Sequence, residues 1–338
     1  MSTAIADKHA LITAAEWFGG GQRVPYDADH HRMLTEHDNL NGLSAPHLMV
    51  FERVVGVPDA TGRWVTMLPG FPDGSYGYAK VDALLGDNPA PRLYPEYVGQ
   101  GDSDKPRYYA YSTMERADLV EAQWQAHGVQ RAFVVTFDYS SLVVLELLAR
   151  QQERLTRGEP LATRIESVLI ANGGLFADAH SHPWLTTPLL KTPLGAFSMR
   201  RAQRSPAVLR SIMRGARMYA PGYEVTDDEL DELCDAMARR DGAAFLHLAA
   251  GFVAEHNAHA KRWDFARLYR ALRASVSFCI VGSAEDPYEP KQIVAARARL
   301  GAESLDIRMT PGGHLTTAEY PDLLADLIRE RALAWRQE

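Results

Sequence analysis

The chain has 338 residues, 46% hydrophobic and 23% charged, an ordinary globular balance. At that length it can bury about three quarters of its unfolded surface with no disulfide or metal staple. Lys and Arg number 36 against 43 Asp and Glu, and the net charge of −7 excludes nucleic-acid binding driven by whole-protein charge. Two cysteines, Cys234 and Cys279, cannot build a disulfide framework and point to a reducing compartment. The first fifteen residues, MSTAIADKHALITAA, lack a basic start followed by an apolar run, so no signal peptide is expected. The longest apolar stretch, residues 142–149, is broken by Glu146 and falls short of the roughly 20 residues a membrane span needs. These features predict a soluble, cytoplasmic protein.

Short runs rich in β-branched and aromatic residues appear at 47–55 (HLMVFERVV), 63–68 (RWVTML) and 92–97 (RLYPEY). A helical pattern follows at 113–127, with Ser112 or Thr113 as its cap, and then a further run at 132–137 (AFVVTF). The next helix is expected at 142–155 and the next strand at 165–171 (IESVLIA). Runs at 275–281 (SVSFCIV) and 304–309 (SLDIRM) precede a last helix at 320–335. Continuous apolar runs of this length suit strands buried on both faces. Their alternation with helices predicts an α/β domain with a mostly parallel central sheet. Between residues 176 and 268 no strand pattern is evident, only helical segments such as 227–240 and 243–256. That interval reads as an inserted helical cap at 176–265, dividing a core made of 1–175 and 266–338. Gly19–Gly21 and Pro89-Ala90-Pro91 read as turns within this scheme.

The segment Val134-Val135-Thr136-Phe137-Asp138-Tyr139-Ser140-Ser141-Leu142 runs from strand directly into helix. A nucleophile elbow has this form and needs small residues two positions either side of the reactive one, here Thr136 and Ser140. At the start of a helix the dipole and free N–H groups stabilise a carboxylate. Asp is also a preferred N-cap, so capping is the competing reading for Asp138. Asp286 follows the predicted strand 275–281, in Gly282-Ser283-Ala284-Glu285-Asp286-Pro287, and His314 follows the last strand in Pro311-Gly312-Gly313-His314. Both lie beyond strand carboxyl ends, where open α/β sheets gather ligands. Nucleophile, acid and histidine in that chain order match the order of hydrolase triads. Upstream, the loop Met67-Leu68-Pro69-Gly70-Phe71-Pro72 can turn a backbone N–H toward the elbow. With the N–H of Tyr139 it would form an oxyanion hole.

Together these residues resemble the aspartate-nucleophile branch of the α/β-hydrolase superfamily, which includes epoxide hydrolases and haloalkane dehalogenases. Within it the chain most resembles the mesoderm-specific transcript protein-like bacterial hydrolases. The likeness rests on Leu68-Pro69-Gly70-Phe71-Pro72 with Ser75-Tyr76, where relatives read HGFP in the loop. It continues in Gly99-Gln100-Gly101-Asp102-Ser103-Asp104-Lys105-Pro106, where they read GFGxSDKP, and in Tyr111-Ser112. The elbow Phe137-Asp138-Tyr139-Ser140 and Glu146-Leu147-Leu148 stand where they read HDYG and ELL, and Asn172-Gly173-Gly174-Leu175-Phe176 opens the cap. Three departures stand out: Pro69 and Phe137 replace histidines and Ser140 replaces glycine.

The resemblance implies an α/β-hydrolase fold and a two-step displacement. Asp138 attacks an electrophilic carbon to form an alkyl-enzyme ester. His314, oriented by Asp286, activates the water that hydrolyses it, and the oxyanion rests on the N–H groups of Phe71 and Tyr139. Epoxide hydrolases use cap tyrosines to protonate the opening oxygen, which makes Tyr219 and Tyr223 substrate-binding candidates against the plainer reading of aromatic packing. Dehalogenases commonly place Asn or Trp as halide donors where this chain has Phe71 and Tyr139, and Trp184 is a cap tryptophan of unassigned place. The expectation is an epoxide hydrolase-like enzyme without cofactor or metal, acting on a small, largely apolar molecule as a monomer or homodimer. The alternatives are altered chemistry on the same fold (dehalogenation, lactone opening, elimination or cyclisation) or a catalytically degenerate binding protein.

Three further features are set aside. Arg200, Arg201, Arg204, Arg210, Arg214 and Arg217 read as a solvated face paired with the acidic stretch 226–232, the competing reading being a site for an anionic substrate tail. His30-His31 and His180-Ser181-His182 lack a carboxylate or cysteine at metal-ligand spacing. Gly99–Gly101 has no following Gly-Lys-Ser/Thr and is no phosphate loop.

Overall fold

A computed structural model describes residues 11–28, 47–86, 90–106, 109, 111–180, 194, 197, 205–216, 218–240, 251–301 and 305–337. Eight strands form one sheet: β1 Gln22–Tyr26, β2 Leu48–Val55, β3 Arg63–Leu68, β4 Arg92–Pro95, β5 Arg131–Phe137, β6 Arg164–Ala171, β7 Ser277–Ser283 and β8 Asp306–Thr310. Their spatial order is β1-β2-β4-β3-β5-β6-β7-β8. The pairs from β4 to β8 are parallel, whereas β2 runs antiparallel to both β1 and β4. The mostly parallel α/β sheet expected from the sequence is therefore present, with one antiparallel edge. Two details differ. β1 escapes the sequence pattern, because Pro25 and its exposed polar neighbours hide an edge strand. The run at 92–97 stops as a strand at Pro95.

Side-chain alternation along the central strands explains the layering. Val65, Met67, Phe133, Val135, Leu169, Ala171, Cys279 and Val281 face one core cluster, while Trp64, Leu68, Ala132, Val134, Val168, Ile170, Phe278 and Ile280 face the other. The first face is covered by α1 (Ala14–Gly19), α2 (Ala79–Leu85) and the carboxyl-terminal α10 (Pro321–Gln337). The second is covered by α3 (Thr113–Ala126), α4 (Ser140–Arg157), α8 (Phe265–Leu272) and α9 (Pro290–Leu300). Ser112 caps α3 by accepting from the Glu115 N–H, and Gly158 in the left-handed conformation ends α4.

Among the described residues between β6 and β7 there is no strand. That interval carries α5 (Pro206–Gly215), α6 (Asp227–Ala238) and α7 (Gly251–Ala258). α6 starts from a capping box of Thr226 and Glu229 and packs on α5. It is tied to the core at three points. Arg239 forms a two-pronged pair with Asp102 at 2.7 Å for each bond, Lys80 pairs with Glu229, and the Ala14 N–H donates to Glu232 at 2.7 Å. Arg210 and Arg214 pair with Asp231 and Asp227, in keeping with a solvated face. Arg200, Arg201, Arg204 and Arg217 lie outside the described residues. No helix among the described residues is long and apolar enough to cross a membrane. Cys234 and Cys279 are both buried and unbridged.

Candidate active site

β5 ends at Phe137 and α4 begins at Ser140, leaving Asp138 and Tyr139 as the whole connection. So tight a turn places Asp138 at φ 53°, a left-handed conformation that disfavours any residue with a Cβ. The capping reading fails on geometry. Tyr139 is the residue preceding the helix, and no side chain caps it. The Asp138 carboxylate instead accepts from the Phe71 N–H through Oδ2, at 3.2 Å. Its Oδ1 lies 3.1 Å from His314 Nε2. The other ring nitrogen of His314 lies 3.0 and 3.1 Å from the two Asp286 oxygens. Asp286 is held in turn by the N–H groups of Tyr288 and Glu289. Asp138, His314 and Asp286, which sequence order alone aligned, thus form one continuous hydrogen-bonded chain.

The histidine is almost completely buried, with its ring between Phe137 and Tyr288 at centroid distances of 5.5 and 4.9 Å. Burial by itself disfavours its charged form, but the adjacent Asp286 and Asp138 carboxylates outweigh that and raise its pKa well above the usual value. Burial likewise pushes Asp286 upward, and His314 with the two backbone donors overcomes it, holding the carboxyl below its ordinary range.

The three departures from the family pattern fit together. Ser140, fully buried, donates its hydroxyl to the Pro69 carbonyl and meets the Tyr97 hydroxyl at 2.8 Å, fastening the elbow helix to the neighbouring loop. Phe137 fills the space against Gly70, where a Cβ would clash with its ring. The Gly99-to-Pro106 segment buttresses the same loop, since Gln100 donates to the Gly70 carbonyl at 2.9 Å. Tyr139 is buried, with the Arg116 guanidinium 4.4 Å from its ring and Phe252 edge-on at 5.1 Å.

Sequence reading missed Asn172 as a positioning residue. Following β6 at φ 45°, it donates to Ser283, to the Gly313 carbonyl and, at 2.7 Å, to the His314 carbonyl, and it accepts from the Ser283 N–H. One side chain thereby binds the loops after β6, β7 and β8. His180 meets a carboxylate that local spacing does not reveal, Glu289 at 2.7 Å from 109 positions away, and its other nitrogen meets His256 at 2.7 Å. No metal-ligating group of three or more such residues occurs among the described residues. Of the tyrosines, Tyr219 and Tyr223 stack at 5.5 Å and 8°. Tyr223 turns its hydroxyl to Glu229 and the Ala318 carbonyl. The backbone of Tyr219 abuts Gly313, and the preceding Met218 carbonyl accepts the His314 N–H at 2.8 Å. Trp184, His30, His31 and His182 lie outside the described residues.

Comparison with known proteins agrees with this architecture. The mesoderm-specific transcript protein of Mus musculus is 29% identical over 218 residues, 62% of this chain and 60% of its own length. The haloalkane dehalogenase DbeA from Bradyrhizobium elkani has the same fold, with a TM-score of 0.65 at 17% identity over 85% of this chain and 94% of that one. The epoxide hydrolase CorEH has it too, with a TM-score of 0.61 at 14% identity over 92% of this chain and 98% of that one. Residues 67–327 match the model of the Alpha/beta hydrolase family, and since that span takes in the elbow, both partner loops and the sheet that carries them, the chain belongs to this family.

Proposed function

We propose that the protein is a hydrolase in which Asp138 is the nucleophile, His314 the base, Asp286 its orienting partner, and an epoxide the electrophile. The observation that carries this reading is the division of labour on Asp138. Oδ2 rests on the Phe71 N–H, while Oδ1 remains beside His314 and away from any capping role. Oδ1 attacks the carbon, its bond to the epoxide oxygen breaks, and a neutral ester forms. His314 then takes a proton from water, and the hydroxyl adds to the ester carbonyl. The developing oxyanion is Oδ2, stabilised by Phe71 N–H and by Tyr139 N–H at the start of α4. Loss of the Asp138 charge on alkylation removes one of the two charges that keep His314 protonated, so the first step prepares the base for the second.

Phe71 offers no side-chain N–H where dehalogenases hold a halide, and Tyr139 is packed under Arg116, which favours an oxygen leaving group over a halide. Residues 176–265 serve as the cap, with Tyr219 placed against the His314 loop to meet that oxygen. The test is a His314→Ala variant mixed with an epoxide panel and read by peptide mass analysis. An adduct accumulating on the peptide that carries Asp138, and missing in Asp138→Ala, is the expected result. Unmodified Asp138 with an epoxide that the wild type turns over would contradict it.

A further inference from the structure

Asp73 is a buried carboxyl that this mechanism leaves without a task. It stands two residues beyond Phe71, in the same loop whose N–H holds Asp138. Its Oδ1 is enclosed and has no hydrogen-bond partner. Its Oδ2 lies close against Gly77, where a Cβ would collide with it. A pocket of about 50 Å³ opens beside it, lined also by Tyr76, Tyr219, Leu315 and Thr317. That is room for a small oxygen-bearing group or a few waters. Tyr219 and Leu315 bring the pocket to the His314 loop, and Asp73 brings it to the loop that cradles the nucleophile. At its far end Lys80 and Glu229 neutralise each other.

Resting on the epoxide reading above, we propose that Asp73 is the acid of this site, its protonated carboxyl donating to the oxygen that leaves carbon when Asp138 attacks. Tyr223 has turned its hydroxyl to Glu229 and Ala318, so Tyr219 stands as one phenolic donor, and Asp73 supplies the second and stronger one. The balance closes over the cycle. In the first step the Asp138–carbon bond forms, the carbon–oxygen bond breaks, and the oxygen takes the Asp73 proton. In the second, neutral ester plus water yields alcohol, carboxylate and one proton, which restores the Asp73 carboxyl.

The surroundings favour the acid form. Burial, aided by the Asp138 charge and opposed by His314 and its own backbone, raises Asp73 from 3.8 to about 7. The other groups that face it are Glu96, itself raised to about 8 by burial, and the phenols of Tyr76, Tyr78 and Tyr219, all raised by burial. None of these four is a cation; the cations that face Asp73 are His314, which opposes the rise, and Lys80 across the pocket, which is paired with Glu229.

The experiment compares single-turnover alkylation of Asp138 by styrene oxide and by 1-bromohexane, whose bromide leaves unprotonated, in wild type and Asp73→Asn. The expected result is a loss of about a hundredfold for the epoxide only, a common size for a missing general acid. The wild-type epoxide rate should also fall above pH about 7, and this limb should disappear in the variant. Gly77→Ala, which displaces the carboxyl without removing it, reproduces the epoxide-selective loss. An unchanged epoxide rate in Asp73→Asn overturns the inference, and so does an equal loss with both electrophiles. If wild type forms no Asp138 ester with either reagent, the parent reading falls and takes this one with it. Where wild type does form the ester, the variant rates bear on Asp73 alone.

Discussion

At Asp138 the chain accepts a backbone conformation that costs a non-glycine residue about 1–2 kcal/mol. A helix cap requires no such distortion, so the strain is best understood as the means of presenting a carboxylate beyond the carboxyl end of the central strand β5, between Phe71 N–H and His314 Nε2. The same geometry makes His314 a reporter on Asp138. Its raised pKa depends on two carboxylates, and Asp138→Asn withdraws one of them. The imidazole pKa, followed by NMR titration, should fall in that variant. An unaltered titration would show that Asp138 does not govern the protonation of His314. In stability terms the sign is that of a raised histidine. Its contribution is complete below the unfolded value near 6.5 and is lost as pH rises through the higher folded value.

Among the elements, α4 carries the elbow at one end and a buried ion network along its flank. Arg150 binds Asp118 at 2.7 Å, Glu121 at 2.6 Å and Glu146 at 2.8 Å. Glu146 also accepts from Arg262 and from the Trp263 indole, both at 2.7 Å, which fastens α4 to the segment entering α8. Burial alone would push Glu146 up, but Arg262 and Arg150 prevail and hold it below its usual range. Glu146→Gln leaves the buried Arg150 and the half-buried Arg262 guanidinium groups short of charge and should cost about 3–5 kcal/mol in urea unfolding at pH 7. For a depressed carboxyl the difference is full above pH about 4.5 and closes as pH falls through the folded value. A gap that stayed constant into acid would contradict this origin.

These elements also show what a sequence discloses. Central strands are legible because they are apolar on both faces, and Asp286 because it follows such a strand, whereas His314 follows β8, a half-exposed edge strand, and is marked instead by its glycine-bearing loop. The direction of β2 leaves no trace in hydrophobic pattern, and β1 looks like loop because one side of it meets solvent. The roles of Asn172 and Glu289 depend on partners more than a hundred positions away, which local spacing does not encode.

At the level of the whole molecule, the described residues make one sheet interrupted by a helical interval, since β6 and β7 pair side by side across the gap in sequence. Asp138 precedes that interval, and Asp286 and His314 follow it, so the site exists only when both parts of the sheet are assembled. The carboxyl-terminal helix closes the arrangement by reaching back: the Trp335 indole donates to Glu166, and Arg336 pairs with Asp59 at 2.8 Å. Whether this assembly works through an ester on Asp138 is decided in heavy-oxygen water, with enzyme in excess over an epoxide it hydrolyses. The expected products are a first-turnover diol free of label and heavy oxygen in the peptide carrying Asp138. A labelled diol beside an unlabelled Asp138 peptide would contradict the covalent route.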